Sequence, residues 1–289
     1  MISDITLGQF FPGYSPLHKL DPRTKIILSV LFIVTVFLAK NPITLAFLGL
    51  ITVILVLVSR ISAKVILKSI KPLVFILAFT AILNLFLTRP EEGDPMVSFW
   101  VIKIYEEGIV RAVFMFVRVI IFILSSTVLL TYTTSPISLT DGIESLLSPL
   151  KKIKVPVHSF AMMMSIALRF IPILVEETEK IMNAQKSRGA DFSSGGLIKR
   201  AKALIPILIP LLASAFNRAD ELATAMECRC YRGDKNRTKL VKLEYKARDF
   251  LWMFEFALIL TAVILLRVIP YRYEATLTSP VLRIFFYPV

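Results

Sequence analysis

Five long apolar runs mark the chain, at residues 25–40, 43–59, 70–88, 109–134 and 250–267, each bounded by charged or turn-forming residues. A helix needs roughly 20 mostly apolar residues to cross the hydrocarbon of a bilayer, so the pattern predicts five transmembrane helices. The first run is short. Lys25 and Lys40 flank it, and their long stems let the ammonium groups reach the interfaces. Asn41-Pro42 predicts a tight turn before the second run. Pro72 falls in the first turn of the third, where its missing N–H costs least.

Between the fourth and fifth runs lies a different pattern. Residues 135–249 are too long for a connecting loop and too apolar for a soluble linker. Thr140-Asp141 predicts the start of a short helix to about Leu150, followed by Lys151, Lys152 and Lys154 at the headgroup level. A long helix is expected from Val157 to Arg188 and another from Leu197 to Arg232, rods of roughly 45–55 Å each. Both change from apolar to polar along their length. Their apolar runs read as about 14 residues, too short to span, and Pro172, Pro206 and Pro210 predict kinks. These helices are expected along or just under the inner membrane face. The division is therefore 1–134, an N-terminal segment with four spans; 135–249, cytoplasmic helices; and 250–289, the last span and a tail.

Charge sets the orientation. The chain of 289 residues is 56% hydrophobic and 19% charged, with a net charge of +13. Short loops rich in Lys and Arg stay cytoplasmic. Lys19, Arg23 and Lys25 precede the first span, and Arg60, Lys64, Lys68 and Lys71 separate the second from the third. The loop after the third is acidic, with Glu91, Glu92, Asp94, Glu106 and Glu107. This predicts a cytoplasmic N-terminus and an outer C-terminus, although Arg267, Arg272 and Arg283 on the outer tail run against the pattern. The basic balance does not point to nucleic acid, because the aromatic-basic interleaving of single-strand platforms is absent. The N-terminal 20 residues lack a basic start followed by an apolar core, so no cleaved signal peptide is expected.

No catalytic constellation is visible. There is no G-x-x-x-x-G-K-[ST] to cradle nucleotide phosphates and no H-E-x-x-H or G-x-S-x-G. The only histidines are His18 and His158, and the only cysteines Cys228 and Cys230, so neither a metal centre nor a disulfide is expected. What stands out is a paired helix ending. The first rod closes on Ala184-Gln185-Lys186-Ser187-Arg188-Gly189-Ala190-Asp191, the second on Ala225-Met226-Glu227-Cys228-Arg229-Cys230-Tyr231-Arg232-Gly233-Asp234. Each carries Arg, then Gly, then Asp. Gly189 and Gly233 read as stop signals. An Arg here complements the helix dipole; it is also suited to docking, since its fork makes bidentate bonds that Lys cannot match. Two such tips suggest two sockets.

The pair resembles the two X-Arg-X coupling motifs of the transmembrane subunits of energy-coupling-factor importers. Ser187-Arg188-Gly189 is close to the usual form; Cys228-Arg229-Cys230 keeps only the central Arg. The run Pro12-Gly13-Tyr14-Ser15-Pro16-Leu17-His18-Lys19-Leu20-Asp21-Pro22-Arg23-Thr24-Lys25 is similar to that family's N-terminal segment. The resemblance implies an all-α membrane protein of a prokaryotic cell membrane, with five spans and a cytoplasmic domain of two long crossing helices. It implies two ABC-type ATPases, one docked on each Arg, that use the ATP. No cofactor is bound by the chain itself. It also implies a membrane-embedded substrate-binding S component, for a vitamin or transition-metal ion, seated on apolar faces of the coupling helices. Met162, Met163, Met164, Ala213, Ser214 and Ala215 fit such a face, because Met is adaptable and small residues allow close approach. Packing within the chain is the competing account.

A self-contained secondary transporter would need a midplane site and usually an internal repeat, and neither is found. A membrane enzyme would need acids or histidines clustered at one interface. Arg111 and Arg118 share a face of the fourth span; Arg111 is expected to snorkel outward, and Arg118 needs a partner, with Asn84 and Glu255 as candidates.

Overall fold

The computed structural model describes residues 10–87, 97–99, 102–104, 106–190, 192, 196–233 and 242–273. It divides into two compact units. One is Phe10–Ser135 with Leu243–Val289; the other is Met1–Gln9 with Pro136–Lys242.

The first unit is a bundle of α1 (Pro22–Leu38), α2 (Pro42–Ser59), α3 (Ala63–Leu87), α4 (Glu106–Ser126) and α8 (Ala247–Tyr273). A short hairpin, β1 (Val97–Phe99) and β2 (Ile102–Ile104), pairs antiparallel with Ser98 opposite Lys103. A π-helical turn, Thr127–Tyr132, ends α4. Prolines open α1 and α2 at their first helical positions, where no N–H is missed. The core runs through Leu28, Phe32 and Val36 of α1, Leu48 of α2, Leu129 and Tyr132 of the π turn, and Phe256 and Val263 of α8, all essentially inaccessible. Phe32 and Phe256 meet with ring centroids 5.8 Å apart. The outward faces stay apolar, with Phe37, Leu57, Phe75 and Leu258 exposed, as a lipid-facing bundle requires.

One end of this bundle is polar and closely bonded. Asp21 caps α1, accepting from the Arg23 N–H at 2.9 Å. Its own N–H donates to Asp249 Oδ1 at 2.9 Å, and Asp249 Oδ2 accepts from the Lys246 N–H at 2.8 Å. Buried Lys25 donates from Nζ to the Thr133 carbonyl at 2.7 Å and the His18 carbonyl at 3.3 Å. His18 accepts the Ser15 hydroxyl at Nδ1 and donates from Nε2 to the Phe11 carbonyl. A Cβ on Gly13 would lie 3.0 Å from the His18 ring, so a side chain there would push that ring aside. The Arg23 guanidinium lies 4.0 Å from the Tyr245 ring centre. Its bond to Asp21 lifts its pKa further above the ordinary value, outweighing burial.

The second unit holds α5 (Pro136–Leu147), a 3-10 turn (Ser148–Ile153), α6 (Val157–Ser187) and α7 (Leu197–Cys228). Glu144 of α5 and His158 of α6 join through a 2.9 Å contact, both largely buried. Glu177 and Arg218 pair across α6 and α7 at 3.4 Å. The Gln185 amide reaches the Pro206 carbonyl at 3.5 Å. That carbonyl is the one left free because Pro210, four residues on, has no N–H to give it. Contacts advancing along α6 retreat along α7, so the two helices pass in opposite senses.

Several expectations are corrected. The helix α3 starts at Ala63, not 70, because Lys64, Lys68 and Lys71 continue the helix rather than forming a loop; Pro72 therefore lies inside it. The short helix starts at Pro136 rather than Thr140, with the Thr140 hydroxyl donating to the Pro136 carbonyl. Both α6 and α7 run unbroken through their prolines. Among the described residues, five helices are long and apolar enough to cross a membrane, but they are Pro42–Ser59, Gly108–Tyr132, Val157–Ser187, Lys202–Cys228 and Ala247–Leu266. The reading of α6 and α7 as too short in apolar length is thus overturned, since each holds an 18-residue stretch that is apolar on average with no more than two charged residues. Conversely, α1 has 17 residues and the apolar part of α3 is Ile70–Leu83.

Arg118 does not pair with Glu255, and the Asn84 side chain is not among those described. Its guanidinium donates to the Ala39 carbonyl at the end of α1 and stacks 4.5 Å from the Phe114 ring centre. A carbonyl freed by the end of a helix is a strong acceptor and needs no acidic side chain. Glu255 is on an exposed face of α8, and the side chains of Asn84 and Arg111 lie outside the described residues, as do Glu91, Glu92, Asp94, Asp191 and Asp234.

Candidate coupling site

The two arginine-bearing ends are built alike. Arg188 is the C-cap of α6 and Arg229 the C-cap of α7. Their backbone N–H groups donate to Ala184 and Ala225, each at 3.3 Å. One residue on, the Gly189 N–H donates to the Lys186 carbonyl at 2.9 Å and the Cys230 N–H to the Glu227 carbonyl at 2.8 Å. Two residues on, Ala190 donates to Gln185 and Tyr231 to Met226, each at 3.0 Å. These paired bonds form a Schellman motif in each helix. Gly189 has φ +85° and Cys230 φ +57°.

The expected role of Gly233 is corrected here. It has φ +76° but lies beyond the cap, and α7 ends at Cys228 rather than near Arg232. Cys230 makes the turn that Gly makes in α6. A non-Gly residue in this conformation is uncommon, which is why the glycine drew the expectation.

Ser187, Arg188, Gly189, Cys228, Arg229 and Cys230 are all exposed. Glu177 meets Arg218 and Gln185 meets Pro206, so Arg188 stands near the start of α7. Arg229 lies 23 residues beyond Pro206, about 35 Å along α7. Arg188 and Arg229 therefore stand toward different ends of α7. Among the described residues, no group of three or more His, Cys, Asp or Glu is placed to hold a metal ion.

The six apolar candidates do not form one patch. Ala213, Ser214 and Ala215 lie within about a turn of Arg218, hence level with Glu177. Met162, Met163 and Met164 lie 13 to 15 residues earlier on α6, about 20 Å away. Met163 and Met164 are about half exposed and Met162 less so. Ala213 is exposed; Ser214 and Ala215 are half-buried. The larger apolar surface went unremarked: Leu204, Leu208, Leu212 and Phe216 form a ladder on α7, each more than half exposed, with Ile205 and Ile209 beside it. The four-residue spacing was readable in the sequence, as was exposed Phe160 one turn before Met164.

A bundle with apolar outer faces and a second unit of long arginine-capped helices defines a multi-pass membrane protein. The family model described as cobalt transport protein matches residues 13–240. The energy-coupling factor transporter transmembrane protein of Ruminiclostridium cellulolyticum is 53% identical over 251 residues, covering 87% of this chain and 92% of the relative. That of Bacillus subtilis is 49% identical over 249 residues, covering 86% and 93%. That of Lactococcus lactis is 45% identical over 250 residues, again covering 86% and 93%. The chain belongs to the family of transmembrane components of energy-coupling factor transporters.

Proposed function

We propose that this transmembrane component couples two ABC-type ATPases to a membrane-embedded S component that binds a vitamin or transition-metal ion. The ATPases use the ATP; this chain binds no cofactor and performs no hydrolysis. Arg188 and Arg229, with their flanks Ser187, Gly189, Cys228 and Cys230, each dock one ATPase. The apolar faces of α6 and α7, including Met162, Met163, Met164, Ala213, Ser214 and Ala215, receive the S component. The 135–249 region lies at the cytoplasmic face, with α6 and α7 along the membrane rather than through it although their apolar length would suffice to cross; the N-terminus is inside and the C-terminus outside.

One observation carries this reading: two exposed arginines occupy the same cap position on two long helices that run in opposite senses. A single partner site would need one of them; two matched motor subunits use both. The cap bonds fix the backbone of each tip, so little backbone freedom is lost on docking. The half-exposed ladder on α7 supplies the second surface, since an apolar stripe of this size marks an interaction face. Movement of the ATPases on hydrolysis would displace the two tips, and the apolar faces would carry that displacement to the S component.

The test is co-purification of the ATPases with Arg188→Glu and Arg229→Glu combined. The ATPases are expected to be lost while the chain stays membrane-inserted. Full retention of both ATPases and of uptake would overturn the assignment.

A further inference from the structure

The bundle of spanning helices carries a carboxylate with no partner. Glu255 stands in a cleft of about 240 Å³ between α2 and α8, lined by Phe47, Ile51, Leu55, Trp252 and Phe256. The cleft has a firm floor: Phe256 packs on Phe32 at 5.8 Å and Trp252 on Phe256 at 6.2 Å. Its walls are apolar, and Glu255 is the ionisable group among the lining residues. No hydrogen bond or ion pair to Glu255 is formed among the described residues.

The depth is fixed by the flanking residues. Trp252, of a type enriched at membrane interfaces, lies three residues before Glu255. Exposed Arg248 lies seven before it, and exposed Arg60 follows Leu55 by five residues on α2. Glu255 is therefore roughly 5 Å below the Trp252 level and 10 Å below Arg248. An ionised carboxylate at that depth is costly unless a donor pairs with it. Among the described residues none supplies it, which leaves a donor from outside the chain. It must carry a positive charge and N–H bonds, and it must be joined to something apolar that fills the cleft.

We infer that the α2–α8 cleft binds a phospholipid bearing a primary ammonium, with the ammonium on the Glu255 carboxylate. An acyl chain lies against Phe47, Ile51 and Phe256, while the phosphate stays near the level of Arg60 and Arg248. The charge pattern suits this lipid: carboxylate below, guanidinium groups above, matching ammonium and phosphate. A choline headgroup has no N–H to donate, so it does not substitute.

Native mass spectrometry on the full chain with its co-purifying subunits tests this, after delipidation and readdition of phosphatidylethanolamine or phosphatidylcholine. The wild type is expected to retain phosphatidylethanolamine and not phosphatidylcholine. Glu255→Gln is expected to weaken retention about tenfold, the scale of a lost charge-assisted bond. Ile51→Trp, which fills the cleft and spares the carboxylate, is expected to weaken it as well. Equal retention by wild type and Glu255→Gln, or equal retention of the two lipids, would overturn the inference. So would a photo-crosslinker at Ile54, another lining residue, that captures a partner polypeptide instead of lipid.

Discussion

Gly189 and Cys230 hold the same left-handed position, one residue beyond Arg188 and Arg229, and make the same backbone bond to the residue three before them. Only Gly adopts this conformation without strain. A side chain there costs about 1 kcal/mol, so the α7 ending is the more strained of the two. Cys230→Gly is expected to stabilise the end of α7 by about 1 kcal/mol and Gly189→Ala to destabilise that of α6 by a similar amount. Amide exchange at Tyr231 and Ala190, whose N–H groups close the two caps, measures this directly. Slowing of about fivefold at Tyr231 in the first variant and a matching acceleration at Ala190 in the second are expected. No change at either amide would mean that the caps do not carry the strain assigned to them.

Lysine in place of arginine separates charge from geometry at the proposed docking tips. A lysine keeps the charge and the favourable interaction with the helix end, yet loses the planar fork. If each guanidinium makes a bidentate bond to a partner carboxylate, Arg188→Lys and Arg229→Lys should each weaken ATPase association by about 1.5–2 kcal/mol, roughly ten- to thirtyfold. Helix stability should be unchanged, because the cap bonds are backbone bonds. Affinity of the isolated ATPases for the reconstituted chain is the measurement. Retention of wild-type affinity in both variants would assign the arginines to the helix dipole alone.

Lys25 and Asp249 tie the polar end of the spanning bundle together. Lys25 serves two carbonyls, of His18 and Thr133, and Asp249 serves two N–H groups, of Asp21 and Lys246. Lys25→Met leaves both carbonyls without this donor, at a cost of about 2–3 kcal/mol, so thermal unfolding should fall by about 5–10 °C. Asp249→Asn keeps one acceptor oxygen and should cost about half as much; Asp249→Ala should match Lys25→Met. A thermal shift series on the detergent-solubilised chain orders the three. Asp249→Asn as severe as Asp249→Ala would show that charge, not bonding, dominates there.

Local chemistry explains which features were legible in the sequence. Apolar run lengths and breaks at Asn41-Pro42 place α2 to within one residue, and the arginine-bearing ends of α6 and α7 to within four residues. The start of α3 was misread because Lys64, Lys68 and Lys71 resemble a loop in one dimension, although lysine is a good helix former. The α7 cap was displaced to Gly233 because a cysteine at positive φ is not a readable signal. For Arg118 the sequence offers side-chain partners, Asn84 and Glu255, whereas the structure supplies the carbonyl at the end of α1. Backbone acceptors carry no sequence signature. The same holds for the Gln185–Pro206 bond, legible only once Pro210 is known to leave that carbonyl free.

The exposed ladder on α7 makes the last prediction, and it distinguishes the two proposed interfaces. Leu208 and Leu212 lie one turn apart and are more than half exposed in this chain alone. If the S component covers them, each buries an aliphatic side chain worth about 1.5–3 kcal/mol. Leu208→Asp replaces that gain with the cost of burying an unpaired charge, so S-component association should fall by a factor of about a hundred or more. Exposed in the isolated chain, the same substitution should leave the unfolding temperature nearly unchanged, and the ATPases should still co-purify because both arginine tips are intact. The Arg188→Glu and Arg229→Glu pair should give the opposite pattern, losing the ATPases and keeping the S component. Pull-down of both partners from the same membranes reads the two outcomes together. Loss of both in either variant would indicate a fold defect, and retention of the S component in Leu208→Asp would remove the ladder from its binding face.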